Sequence, residues 1–142
     1  MPQPISASAA GLDLSPRVFQ SQAVAGSPAD ATETIVCTVT CSGDIAIVAG
    51  IIVMAWVAFT VGTNGVAANL KIRRTNAAGA TQAATGVVNE GVTAATQLGY
   101  RYAQAFDTGP TMPGQVYVAT LTLASASAAS TVSAASLICL AV

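Results

Sequence analysis

Residues 45–61 read IAIVAGIIVMAWVAFTV, seventeen positions without a charge. A run of that length sits at the lower limit for a membrane-spanning helix, and the same residues could equally form a strand inside a sheet. Its composition favours the strand. Ile, Val and Thr, which suit a pleated surface, make up much of it. Gly50 divides it into a short piece over 45–48 and a longer one over 51–61. Asp44, not a Lys/Arg cluster, stands before it. The expectation is a central strand over 51–61 buried on both faces, with a small membrane protein having one span near 45–61 as the alternative. Trp56, the sole tryptophan, is placed in the core on this reading, with a subunit interface as its second reading.

Outward from that run, short alternating segments are separated by turn chemistry. Over 34–41, Ile35, Cys37, Val39 and Cys41 fall on one face and Val36, Thr38 and Thr40 on the other, and Ser42-Gly43-Asp44 follows as a turn. Over 69–75, Leu70 and Ile72 face one side and Lys71 and Arg73 the other, the pattern of a half-buried strand. A hairpin-type turn over 76–79 leads to a return strand over 81–88. Over 98–106, Leu98, Tyr100, Tyr102, Gln104 and Phe106 alternate with Gly99, Arg101, Ala103 and Ala105, so the aromatics share a face. A turn over 107–114 precedes the alternating segment 115–123, and a last strand covers 136–142. Between them, 124–135 (ASASAASTVSAA) is expected to be a small-residue hairpin, its serines and Thr131-Val132 weighing against an alanine helix. Seven or eight strands at this spacing, with no alternation of strand and helix, predict an all-β chain, a jelly-roll-like antiparallel β-sandwich.

Residues 1–32 differ from the remainder. They hold Pro2, Pro4, Pro16 and Pro28, four of the six prolines, and proline resists both helix and central strand. This stretch is expected to be an extended N-terminal arm, with the sandwich domain over 33–142. Ile5, Leu12, Leu14, Val18 and Phe19 give the arm apolar anchors for a partner surface; a disordered terminus with incidental apolar residues is the other reading. The first six residues, MPQPIS, lack the basic region and apolar run of a secretory signal, so synthesis and assembly in a cytoplasm are expected.

Composition narrows the function. Eleven charged residues, five basic and six acidic, make 8 % of the 142 residues, where globular proteins average about 25 %. With a net charge of −1 there is no clustered basic excess for phosphates, so no nucleic acid is expected as partner. The chain has no histidine, which removes His-dependent triads and His metal sites. Asp13, Asp30, Glu33, Asp44, Glu90 and Asp107 stand singly, and the glycines form no nucleotide loop. No catalytic residues, cofactor or metal is expected, and the chain is read as no enzyme. Cys37, Cys41 and Cys139, an odd number, imply no disulfide framework and are read as small core residues. Lys71, Arg73 and Arg74 hold three of the five basic residues, either as a solvated strand face or as an electropositive stripe for an acidic partner. A chain of 14.0 kDa with mean hydropathy +0.62 has too few charges to cover its surface, so much of the exterior must be small neutral residues, chiefly Ala, Thr and Ser, or else be buried by neighbouring copies.

Several segments together resemble a known family. They are WVAFTVGTNG over 56–65, LKIRR over 70–74, FDTGP over 106–110, GQVYVATLTL over 114–123 and the final strand over 136–142. Over about 33–142 the chain is similar to the small jelly-roll modules of tailed-phage virion proteins, which include capsid decoration (cement) proteins and fibre tips. The resemblance implies a homotrimeric sandwich on the capsid exterior of a virion, a structural subunit that stabilises the shell. It also implies an arm that holds neighbouring copies and the major capsid protein, with no membrane partner. A receptor-binding or fibre-tip module is the alternative, although the chain lacks a fibre's repetitive shaft and coiled-coil heptads.

Overall fold

The computed structural model describes residues 18–23, 32–41, 49–60, 67–84, 88–89, 98–123 and 131–142. Among them are nine strands and no helix: β1 (Val18–Ala23), β2 (Thr34–Cys41), β3 (Ile51–Thr60), β4 (Ala67–Arg74), β5 (Thr81–Ala84), β6 (Val88–Asn89), β7 (Leu98–Asp107), β8 (Gln115–Leu123) and β9 (Thr131–Ala141). Two antiparallel sheets form. The first has the order β1-β9-β3-β7, and the second the order β2-β8-β4-β5 with β6 also pairing β4.

The pairing follows a rule. β1 pairs β9, β2 pairs β8, β3 pairs β7 and β4 pairs β5, so the first half of the chain meets the second half in reverse order. A long antiparallel ribbon has in effect been wrapped around itself, which is the jelly roll. The all-β sandwich expected from the alternating segments is therefore the fold.

β3 lies in the middle of the first sheet and occupies most of the charge-free run. Its register with β7 is unbroken from Ile51↔Asp107 to Thr60↔Leu98. The one-span membrane reading is thereby overturned, and no helix among the described residues is long and apolar enough to cross a membrane. The expectation that this strand is buried on both faces is also corrected. Ile51, Val53, Ala55, Val57 and Phe59 are buried, whereas Ile52 and Met54 are half-buried and Trp56 is exposed. Gly50 does end the strand, as expected. Its amide and carbonyl pair with Val142, and a Cβ there would lie 2.3 Å from the Asp107 carbonyl oxygen.

Of the three register shifts in the described ladders, which include one between β4 and β5 at Ile72/Arg73, those in β2 and β9 set which side chains face inward. In β2 the register slips between Ile35 and Cys37, so the single-face alternation read from Ile35 through Cys41 holds only from Cys37 onward. Ile35 is turned to the surface, and Val36 packs against the core. In β9 the register with β3 slips between Ala58 and Phe59, leaving Ser133 as the extra residue, whose hydroxyl donates to the Ala58 carbonyl at 3.2 Å. That slip lets Val132 on one side of it and Ala135, Leu137 and Cys139 on the other all point inward.

The N-terminal boundary moves as well. Val18–Ala23, inside the span read as an arm, is an edge strand of the first sheet, in register with β9 from Val18↔Leu140 to Ala23↔Ala135. No proline interrupts those six residues, so nothing prevents them from completing a ladder. β9 likewise starts at Thr131, inside the stretch read as a hairpin; residues 124–130 lie outside the described residues.

The core is the space between the sheets. Leu70, Ile72, Tyr117, Leu121 and Leu123 come from the second sheet and meet Ile51, Val53, Val57, Phe59 and Leu137 of the first. Each such side chain contributes roughly 1.5–3 kcal/mol on burial. Cys37, Cys41 and Cys139 are buried free thiols in this core. Contact with Cys41, and then burial, push the Cys139 thiol well above its ordinary value, so it stays neutral. β7 contributes little bulk: its inward positions include Gly99, Ala103 and Ala105, and the Phe59 ring lies over Gly99, where a Cβ would sit 2.8 Å from Cζ.

Candidate functional site on the outer face of the first sheet

Because β7 turns its small residues inward, its large ones face out. Leu98, Tyr100, Tyr102 and Phe106 are all exposed, the three aromatics at 52 % each. The antiparallel register continues this row onto β3, setting Trp56 opposite Tyr102, Ile52 opposite Phe106 and Thr60 opposite Leu98. It then runs on to β9, where Ile138 lies opposite Met54 and Leu140 opposite Ile52, and to Val18 of β1. Trp56 stacks on Tyr100 with ring centroids 6.1 Å apart and planes at 27°, and the Tyr102 hydroxyl donates to Gln104 Oε1 at 2.8 Å.

Among the described residues this face carries no Asp, Glu, Lys or Arg. The charged residues of β7 point the other way: Arg101 Nε donates to the Ala68 carbonyl at 3.2 Å, and Asp107 is buried. The side-chain oxygen of Ser136, opposite Trp56, is buried and has no hydrogen-bond partner among the described residues. The assignment of Trp56 to the core is corrected, since it is 38 % exposed. Alternation over 98–106 reveals that the aromatics share a face; that this face is the outer one follows from the fold, in which the Phe59 ring fills the inner space over Gly99.

The residues read as an electropositive stripe are divided between two clusters and matched by acids of the same chain. On the outer face of the second sheet, Glu33 receives Lys71 Nζ at 3.1 Å, Arg73 Nη2 at 2.8 Å and the buried Thr120 hydroxyl. Hydrogen bonds from Arg73, outweighing partial burial, hold the Glu33 carboxyl at about 2, below its ordinary value near 4.5. Arg74 turns inward at the end of β4, where Asp107 Oδ2 accepts from its Nε at 2.7 Å and from the Tyr117 hydroxyl at 2.6 Å. Burial alone would raise the Asp107 carboxyl, but hydrogen bonds from Arg74, Tyr117 and the Gly109 amide bring it below its usual range. Burial, and then its bond to Asp107, push the Tyr117 phenol far up. Lys71, Arg73 and Arg74 thus bind the molecule to itself instead of presenting a stripe, because each lies within reach of a carboxylate delivered by another strand or by the entry to β2.

The Glu33 cluster makes a prediction about acid. A carboxylate whose folded value is depressed stabilises the fold above its unfolded value and loses that contribution as pH falls through the folded one. Glu33→Gln is expected to cost about 1–2 kcal/mol at neutral pH, after discounting for screening at the sheet surface. The difference from the native chain should shrink as pH falls from near 4.5 toward 2. Urea unfolding across that range measures it; a pH-independent difference would show that Glu33 acts by packing alone.

Of the expected partner-binding residues, Ile5, Leu12 and Leu14 lie outside the described residues, Val18 is exposed on the outer face of the first sheet, and Phe19 packs against the core. Among the described residues no cluster of Cys, Asp or Glu is placed to hold a metal. The two described carboxylates are each engaged by bases of the same chain.

By sequence, no family model and no curated protein matches this chain. By fold, it is similar to viral capsid structures. Against the structure of infectious bursal disease virus Gx strain it is 11 % identical, with TM-score 0.55, covering 88 % of this chain and 32 % of that one. Against the VP2 subviral particle of infectious bursal disease virus it is 12 % identical, again with TM-score 0.55, covering 88 % and 33 %. The chain spans about a third of the length of these viral chains. At such identity the likeness establishes the fold, a jelly-roll β-sandwich of the kind viral shells contain.

Proposed function

We propose that this chain is a structural virion subunit, a decoration protein that binds the outside of a phage capsid as a homotrimer and stabilises the shell. The observation that carries the reading is a jelly roll that leaves one broad, uncharged aromatic face uncovered, on a chain with 8 % charged residues. Large exposed apolar faces mark contact surfaces, and the fold likeness to viral capsid structures supports a shell as the setting. The partners on this reading are the major capsid protein and neighbouring copies.

Attachment is assigned to the residues before β1, with Ile5, Leu12 and Leu14 as anchors; Val18 and Phe19 belong to the sheet instead. Some 17 extended residues reach about 55–60 Å, enough to cross to a neighbouring subunit. Deleting residues 1–16 spares β1 and should leave the sandwich folded while attachment to particles falls sharply. Truncated protein that binds particles as tightly as the full chain would move the contact to the sandwich. Counting copies per virion by quantitative mass spectrometry tests the role itself. Hundreds of copies support decoration, and a few copies at the tail make the chain a receptor-binding tip.

A further inference from the structure

We propose that the outer face of the first sheet, centred on Trp56, Tyr100, Tyr102 and Phe106, is where a second copy of this chain docks, face against face. This deepens the reading above, in which copies assemble on a shell, but neither its argument nor its test needs a shell.

The area suffices. Four aromatic side chains about half exposed, with Leu98 and Val18 beside them, offer roughly 500–600 Å². Two copies would therefore bury on the order of 1,000–1,200 Å², where specific interfaces begin. The same face is also the best complement to itself. Among the described residues the one other large exposed hydrophobic is Ile35, on the opposite sheet. An apolar face meeting a different apolar patch on its neighbour would find no comparable area there. Charge permits the match: with no Asp, Glu, Lys or Arg on the face, two copies bring no like charges together, and nothing on it would select a strongly charged partner. Polar groups are spaced through it, namely the hydroxyls of Tyr100 and Tyr102 and the Gln104 amide. Two such faces can stack at the roughly 10 Å spacing of packed sheets. Tyr and Trp suit this setting, with an apolar body for the contact and a polar tip for water or a cross-copy bond.

The test uses the full chain in dilute buffer. Native mass spectrometry and sedimentation equilibrium at micromolar concentration should give a dimer, or a hexamer in which trimers are paired, because a face that meets its own copy closes about a two-fold axis; an unpaired trimer would overturn the proposal. Tyr102→Glu places like charges at the contact and should weaken association at least roughly tenfold. Phe106→Thr, which adds no charge, should weaken it less. Thr38→Glu, exposed on β2 of the other sheet, should leave it unchanged. Circular dichroism confirms that each variant is folded. As the sole tryptophan, Trp56 reports directly: quenching by acrylamide should rise on dilution of the native chain. A native chain that is monomeric at micromolar concentration, or folded Tyr102→Glu and Phe106→Thr proteins that keep the native mass, would overturn the proposal. A monomer that binds particles and loses that binding in Tyr102→Glu would assign the face to the shell protein, overturning the second copy while sparing the virion role. An oligomer broken by Tyr102→Glu from a chain found on no particle would do the reverse.

Discussion

Replacing Asp107 by alanine is expected to lower stability by about 3 kcal/mol, toward the lower end of what breaking a buried ion pair costs. The carboxylate closes one end of the sandwich, joining the last residue of β7 in the first sheet to Arg74 of β4 and Tyr117 of β8 in the second. The Asp107 side chain is 1 % exposed, so removing it leaves the buried Tyr117 hydroxyl without its acceptor. Arg74, at 31 %, keeps some access to water, which moderates the loss. Asp107→Asn should cost less, because the amide oxygen still accepts from Tyr117 while the charge for Arg74 is gone. The acid dependence separates charge from shape. Because the folded Asp107 carboxyl is held below its ordinary value, its contribution is complete at neutral pH and fades as pH falls below about 4. Both variants should therefore approach the native chain in stability in acid. Urea unfolding midpoints at several pH values measure this, and a loss below about 1 kcal/mol at neutral pH would mean that the inter-sheet contact contributes little.

Phe59→Ala is expected to cost about 3–5 kcal/mol. Phe59 is fully buried near the end of β3, directly opposite Gly99 of β7, and its ring fills the space that a side chain on Gly99 would otherwise take. With the ring gone, the neighbouring backbone of the first sheet cannot collapse into the space, because β3 is held by ladders on both sides. The reciprocal change makes the argument specific. In the native chain Gly99→Ala sets a methyl 2.8 Å from Phe59 Cζ, closer than real contacts allow, and should destabilise. In the Phe59→Ala background the same methyl enters the cavity, so the cost of Gly99→Ala should largely vanish. A double-mutant cycle reads this coupling directly, and strictly additive effects would show that the ring and the glycine are independent.

These two sites explain how β7 can expose its aromatics. Phe59 from the neighbouring strand supplies the bulk that Gly99, Ala103 and Ala105 do not, so the core closes without Tyr100, Tyr102 or Phe106. Asp107 then ties the far end of the same strand to the second sheet. The aromatic side chains are left free for contact outside the fold.

Local chemistry alone determined that the chain is all-β and located most of its strands, but not β1, which lies inside the span read as an arm, nor the start of β9. The limits of β2 and β8 could be read from alternation and flanking turns, because period-two patterning and Gly/Pro punctuation act over a few residues. The sequence also determined the membership of the aromatic row on β7, since side chains two apart must share a face. It could not determine which face became the outside. That choice depended on Phe59, forty residues away in the chain, occupying the inner space over Gly99. Nor could it pair the strands: β1 finds β9 and β2 finds β8 across most of the chain's length, and one antiparallel ladder looks locally like another. The same distance hid the partners of the basic residues. Lys71-Ile72-Arg73-Arg74 reads as a charged stripe until the fold brings Glu33 and Asp107 to it, because an ion pair depends on separation in space and not along the chain.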